Sequence, residues 1–321
     1  MSMNVPPPEP SSAAATVEVA AEEAAFEELG EEVDAGAAPI DVRAERRQAR
    51  KERWKLLLRR PGFVIGVLIL LVWIVCAVGG DRITPYPPLV PEFQSFLPPN
   101  ATNWMGTDQL GRDVLSRVMA GARDVLVAAP IAASISVAAG SLLGLLMGYY
   151  RGWVDEVFSR LVEALLSIPV YLMGILIVTS LGSSRIILIG TVALLFTPIV
   201  TRTVRAAVMA EAQLDYVVSA KLRGESGLFV MTREILPNIT GPIVVELTVR
   251  VGYAVFTIAT LSFLGFGIQP PSPDWGLTIS ETYRFIQNGQ WWPAIFPALA
   301  IASLVIATNL VADSIEAVLA A

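Results

Sequence analysis

No histidine occurs among the 321 residues, and cysteine occurs once. The first absence removes the commonest general base and the commonest zinc ligand. The second excludes an intrachain disulfide, and the lone Cys76 lies inside an apolar run where packing is its natural role. No G-x-x-x-x-G-K-[ST] phosphate loop is present, so nothing in the chain signals a bound nucleotide. Charge is also sparse: 16% of residues are Asp, Glu, Lys or Arg, against 54% hydrophobic, and the mean hydropathy is +0.59. That balance is far too apolar for a soluble domain and places the chain in a bilayer.

What charge there is falls in blocks. Residues 1–41 contain ten acids and no base, so the net charge of −6 belongs to a tail. The segment 1–42, rich in Ala, Glu and Pro with Phe26 as its one aromatic, is predicted to be a disordered acidic tail, because it has too little apolar surface to offset chain entropy. It lacks the basic start and apolar core of a secretory signal. Residues 43–61 reverse the sign, with nine Lys or Arg between Arg43 and Arg60, and this flank marks the cytoplasmic side.

Hydropathy then predicts an all-α membrane protein with six transmembrane helices and both termini cytoplasmic. The first helix occupies 62–80, followed by an extracytoplasmic loop over 81–122 with a short surface helix near Asp113 to Ala120. A five-helix core fills 123–318, with spans near Val125–Gly148, Val157–Leu181, Ile186–Val204, Thr240–Leu264 and Pro293–Val311. Gly140, Gly144 and Gly148 recur at four-residue spacing, which permits close helix approach, and Pro169 is predicted to kink the third span. Sixteen of the 23 basic residues fall on the cytoplasmic side of this arrangement, six outside, and Arg250 within a span. An outer loop over 265–292 holds QPPSPDWG and the pair Trp291-Trp292, which reads as an interfacial segment with aromatic anchors. The ionisable residues at membrane depth are Glu163, Glu246 and Arg250. The last two are four apart with the acid first, a spacing for an intrahelical pair, and Glu163 lies close to the cytoplasmic end of its span, where it can contact the elbow described next or snorkel.

Two motifs organise the rest. The stretch 215–238 within the polar break 205–238 is predicted to be a helix-turn-helix elbow: Asp215 caps a first helix, Gly224 stops it in a left-handed turn, and a second helix from Ser226 runs to Leu236, where Pro237 ends it. Outside, Gly106, Thr107, Asp108, Gly111, Arg112 and Asp113 form G-T-D-x-x-G-R-D, with glycines suited to tight turns and acids able to pair with Arg112 or cap a helix.

These motifs resemble those of ABC importer permeases of type I, in particular the second of the paired permeases in dipeptide, oligopeptide and nickel importers. In the cytoplasmic coupling loop of that family, Ser219 and Ala220 stand at two Ala places, Gly224 at the Gly, and Leu236 and Pro237 at the end. Val218 stands where the family has an acid, so an acidic contact there falls to Asp215 or Glu211. The resemblance covers about residues 60 to 318. It implies a multi-pass subunit of the bacterial cytoplasmic membrane that pairs with a homologous second permease, two ATPase subunits and an extracytoplasmic binding protein. Catalysis is absent from the chain itself. It binds no cofactor or metal, and ATP and Mg belong to the partners. Peptides are the expected cargo, with nickel chelates or haem as alternatives inside the family. An ion-coupled secondary transporter is the alternative of another class, but it calls for inward-facing titratable residues and an internal repeat that this sequence does not display.

Overall fold

The structure, a computed structural model, describes residues 55–319. The expectations for the acidic tail and most of the basic segment therefore lie outside the described residues. No strand occurs among those described, only an isolated bridge between Thr107 and Asp113. Five helices are long and apolar enough to cross a membrane: α1 (Pro61–Gly79), α2 (Val114–Tyr150), α5 (Arg185–Glu211), α7 (Thr240–Phe263) and α9 (Trp292–Leu319). Between α2 and α5 lie α3 (Gly152–Ser167) and α4 (Val170–Leu181), which count as a sixth crossing only if taken as one span.

Three elements differ from the sequence-based expectation. The pair α3 and α4 meets at 91°, a break and not a kink. Its cause is local: Pro169 caps α4 with ψ 126° and Ile168 is extended, as the residue before a proline prefers to be. The short surface helix expected at Asp113–Ala120 is instead the first turns of α2, which runs unbroken for 37 residues, roughly 55 Å at the helical rise. Its charges had masked the helix in hydropathy, yet each of Arg117 and Asp124 finds a partner. The third is α5, which continues seven residues past Val204 to Glu211.

The helices α2 and α5 form the spine. A Cβ on Gly144 would sit 2.8 Å from the Arg205 amide nitrogen and 2.9 Å from the Thr201 carbonyl oxygen, and Gly140 and Gly148 meet Val200 and Val208 equally closely. Backbone-to-backbone approach of this kind is how small residues hold helices together where no hydrophobic force acts between them. At one end of the spine Asp155 on α3 receives two hydrogen bonds from the Arg205 guanidinium, 2.5 and 2.6 Å long, a bidentate clamp between α3 and α5. One buried apolar cluster surrounds Trp275 with residues of α2, α5, α7 and α9. A second joins the lower halves of α2 and α5 to the segment after α5.

Candidate coupling surface and outer lock

The segment between α5 and α7 is a folded elbow. Helix α6 (Asp215–Leu222) ends in a complete Schellman motif. Gly224 takes φ +79°, its N–H donates to the Lys221 carbonyl at 3.0 Å, and the Glu225 N–H donates to the Ala220 carbonyl at 3.3 Å. The chain then re-enters helix at Gly227 under a Ser226 cap, passes through a π-helical stretch at Val230–Ile235, and continues through Asn238. Two sequence expectations are corrected here. Asp215 does not cap α6: Leu214 occupies that position without a side-chain bond, and Asp215 sits exposed in the first turn, where its charge meets the positive end of the helix dipole. Pro237 does not end the second helix. It falls in the first turn of the α-helical piece that follows the wide π turn, a position where a missing N–H costs little.

The two faces of the elbow are chemically distinct. Val217, Ala220, Val230, Met231 and Ile235 are buried against Val204 and Val208 of α5 and Leu145 of α2. Opposite them, Leu222 and Leu228 are 84% and 67% exposed, with Val218, Ser219 and Phe229 beside them. Leu236 is half-buried. Tyr216 fastens the elbow to its own ends: its hydroxyl donates to Glu211 and accepts from the Asn238 amide at 2.9 Å. Burial and the neighbouring Glu211 push the Tyr216 phenol up to about 12, so it remains a donor. Glu211 is thus spent inside the elbow, while Asp215 stays free at the surface. Glu163, by contrast, is exposed on α3 and has no ion pair or side-chain hydrogen bond among the described residues.

At the far end, the Gly-Thr-Asp motif closes a lock. Gly106 and Gly111 have positive φ, and a Cβ at Gly111 would fall 2.0 Å from the Phe93 carbonyl oxygen. The Thr107 hydroxyl donates to the Gln94 carbonyl at 2.7 Å. Asp113 caps α2 through the Ser116 amide at 2.8 Å and receives the Asn103 amide at 2.9 Å. Asp108, fully buried, accepts from the backbone of Leu110 and Arg112 and from the Arg112 side chain at 2.6 Å. Arg112 and Arg117 then reach Glu281 at 3.3 and 3.6 Å, and Arg117 donates to Thr278 on α8 (Trp275–Thr282) at 2.9 Å. Sequence reading placed Arg112 and the acids but missed Arg117 and Glu281. The available signal was a charge on a helix that otherwise reads as apolar. Two tryptophans of the 265–292 loop differ from the expected interfacial anchors: Trp275 and Trp292 are buried pins, donating to the carbonyls of Val118 and Thr107 at 2.8 and 3.0 Å, whereas Trp291 stays exposed.

Between the two ends, Arg250 donates to Glu246 at 2.8 Å across one turn of α7, and its guanidinium lies 5.3 Å from the Tyr253 ring centre and 5.8 Å from that of Phe196. The charge is neutralised within the helix and padded by aromatic faces. Among the described residues no three His, Cys, Asp or Glu converge as a metal site.

A bundle of five or six candidate crossings, locked at one end and carrying a two-faced elbow at the other, is the architecture of a multi-pass membrane protein. Residues 140–321 match the family described as binding-protein-dependent transport system inner membrane component, and the chain belongs to this family of ABC importer permeases. It is 35% identical over 274 residues to the di/tripeptide transport system permease protein DppC of Pseudomonas aeruginosa, covering 83% of this chain and 90% of that one. It is 36% identical over 273 residues to the dipeptide transport system permease protein DppC of Haemophilus influenzae, covering 83% and 92%. The glutathione transport system permease protein GsiD of Pectobacterium atrosepticum is 34% identical over 273 residues, covering 83% and 89%. The chain is accordingly a multi-pass protein of the bacterial cytoplasmic membrane.

Proposed function

We propose that this chain is one of two homologous permease subunits of an ATP-driven importer that takes up short peptides delivered by an extracytoplasmic binding protein. The observation that carries this reading is the elbow, whose one face is fixed to α2 and α5 while the other offers Leu222 and Leu228 to a partner. Its exposed apolar rib fits the groove of an ATPase subunit, as an amphipathic helix fits any hydrophobic groove. ATP and Mg bind on that partner. Closure of two ATPases on ATP then pushes the elbow, and because α5 runs without a break from the elbow toward the opposite surface, the push tilts the spine as a rigid body. The elbow lies on the cytoplasmic side and the lock on the other, with both termini cytoplasmic, the orientation favoured by the basic flank at Arg43–Arg60. Peptide cargo is supported by the relatives, whose names speak of dipeptides, tripeptides and glutathione.

The test is uptake of a labelled dipeptide into vesicles containing this chain, its second permease, the ATPases and a loaded binding protein, with each omitted in turn. Uptake is expected only with all components and ATP. Uptake by this chain alone, driven by a proton or sodium gradient, would overturn the reading in favour of a secondary transporter.

A further inference from the structure

The arginines at the lock end of the bundle fall into two sets. Arg112, Arg117 and Arg185 are paired with Asp108, Glu281 or Asp124, and Arg284 lies over the Tyr283 ring. Among the described side chains Arg82 and Arg123 have no acid or ring partner, and both are exposed. They line the same cleft. It measures about 780 Å³ and lies between the end of α1 and the flank of α2, with Ile74, Val78, Leu126 and Val127 among its walls. Val78 is 83% exposed and Val127 42%, so this wall is bare apolar surface.

The backbone explains how two cations come to stand over an apolar floor. Helix α1 ends at Gly79, and Gly80, with φ +49°, turns the chain so that Arg82 follows within one 3₁₀ turn of the span's end. Helix α2 is some 25 Å longer than the hydrocarbon core. Arg123, nine residues from its start, is therefore level with the end of α1, a placement required in any case by their shared cleft. With α1 taken as a span of the hydrocarbon core, the arginines fall at the level of its end and the apolar walls lie along its length.

From this arrangement we propose that the cleft binds an anionic phospholipid, with its phosphate between Arg82 and Arg123 and an acyl chain along Ile74, Val78, Leu126 and Val127. The charge is complementary: guanidinium groups present forked donors to phosphate oxygens, and two of them in one cleft select an anionic headgroup over a zwitterionic one. The apolar walls would be solvated poorly by water and well by a chain, which a free anion does not supply. Nothing in this proposal depends on the cargo or on which side of the membrane the lock end faces.

The test uses the complete transporter in detergent, titrated with phosphatidylglycerol or phosphatidylcholine and followed by native mass spectrometry. Wild type is expected to retain phosphatidylglycerol in preference to phosphatidylcholine. The double variant Arg82→Gln, Arg123→Gln is expected to lose about tenfold or more in phosphatidylglycerol affinity, as two charge-assisted contacts disappear, and Lys221→Gln on the elbow is expected to lose nothing. Val127→Trp keeps both arginines and fills the floor, so it is expected to weaken lipid binding even if the double variant misfolds. Equal binding by wild type and the Val127→Trp protein, displacement of the lipid by millimolar inorganic phosphate, or binding to the isolated chain but not to the complete transporter would each overturn the proposal. The last two results would assign the cleft to a free anion and to the second permease, respectively.

Discussion

Gly224 offers the sharpest perturbation of the elbow, because its replacement acts through the backbone alone. Its φ is +79°, and a Cβ added there meets nothing within 4 Å. Gly224→Val therefore creates no collision, and the whole effect is the cost of holding a β-branched residue in left-handed backbone, ~1–2 kcal/mol. That is a factor of about 5 to 30 in the equilibrium between the native turn and a rerouted one. Val217 and Ala220 are fully buried, so α6 keeps its seat. What moves is the chain after it, including Leu228 and Phe229. The expected result is normal insertion of the chain, normal assembly at saturating partner concentration, and a severalfold loss in both peptide uptake and stimulation of ATP hydrolysis by loaded binding protein. Gly224→Asn is the control, since Asn visits the left-handed region at little cost, and it is expected to behave nearly as wild type. A Val variant with wild-type uptake and stimulation would refute the reasoning, and so would an Asn variant as damaged as Val, which would trace the defect to side-chain chemistry.

Three further outcomes follow from the same geometry. Asp108→Ala leaves Arg112 and Arg117 buried with Glu281 as the one acid still in salt-bridge range among the described residues, at ~3–5 kcal/mol; the Tm of the solubilised chain is expected to fall by roughly 6–20 °C, and an unchanged Tm would mean the guanidiniums escape to water. Gly144→Val must push α5 away from α2, since the added Cβ would stand under 3 Å from two backbone atoms; an overpacking cost of ~1–3 kcal/mol is expected, checked by thermal unfolding and by a label distance between the two helices. Finally, if elbow and lock move as one switch, a nonhydrolysable ATP analogue is expected to change binding-protein affinity, typically 5- to 150-fold, and binding protein to change analogue affinity by the same factor; no change in either direction, measured by titration from both ends, would show that this subunit does not couple them.

The long apolar runs were legible because burial in lipid leaves a one-dimensional record, and so were pairs within one helical turn such as Glu246 and Arg250. Gly224 was legible from the helical pattern it interrupts. The start of α2 was not, because Arg117, Arg123 and Asp124 break its hydropathy, and the acids that neutralise Arg117 lie on either side of it in sequence, one of them 164 residues on. The right angle at Ile168–Pro169 was legible as a disturbance but not in size, since a proline fixes φ and its neighbour's preference without fixing what the next helix packs against. Pro237 misled for a related reason: a widened turn absorbs the missing donor, and no local residue type announces a π turn.

The distance along the chain between Arg117 and Glu281 has a consequence for biosynthesis. The longest-range ties of the lock come from the last quarter of the sequence: Ser272, Thr278, Glu281 and the indole of Trp292, which reaches back 185 residues to Thr107. At ~5–20 residues per second of synthesis, roughly 10 to 30 s pass between the emergence of Arg117 and that of its second acid. For that interval the nascent chain carries a guanidinium whose full set of partners does not yet exist. A ribosome-bound chain stopped before residue 272 should therefore expose the lock to protease and to chaperones, and protection should arrive in one step once α8 has been made. The lock can therefore close fully only after the C-terminal helices that supply Thr278, Glu281 and Trp292 have been made.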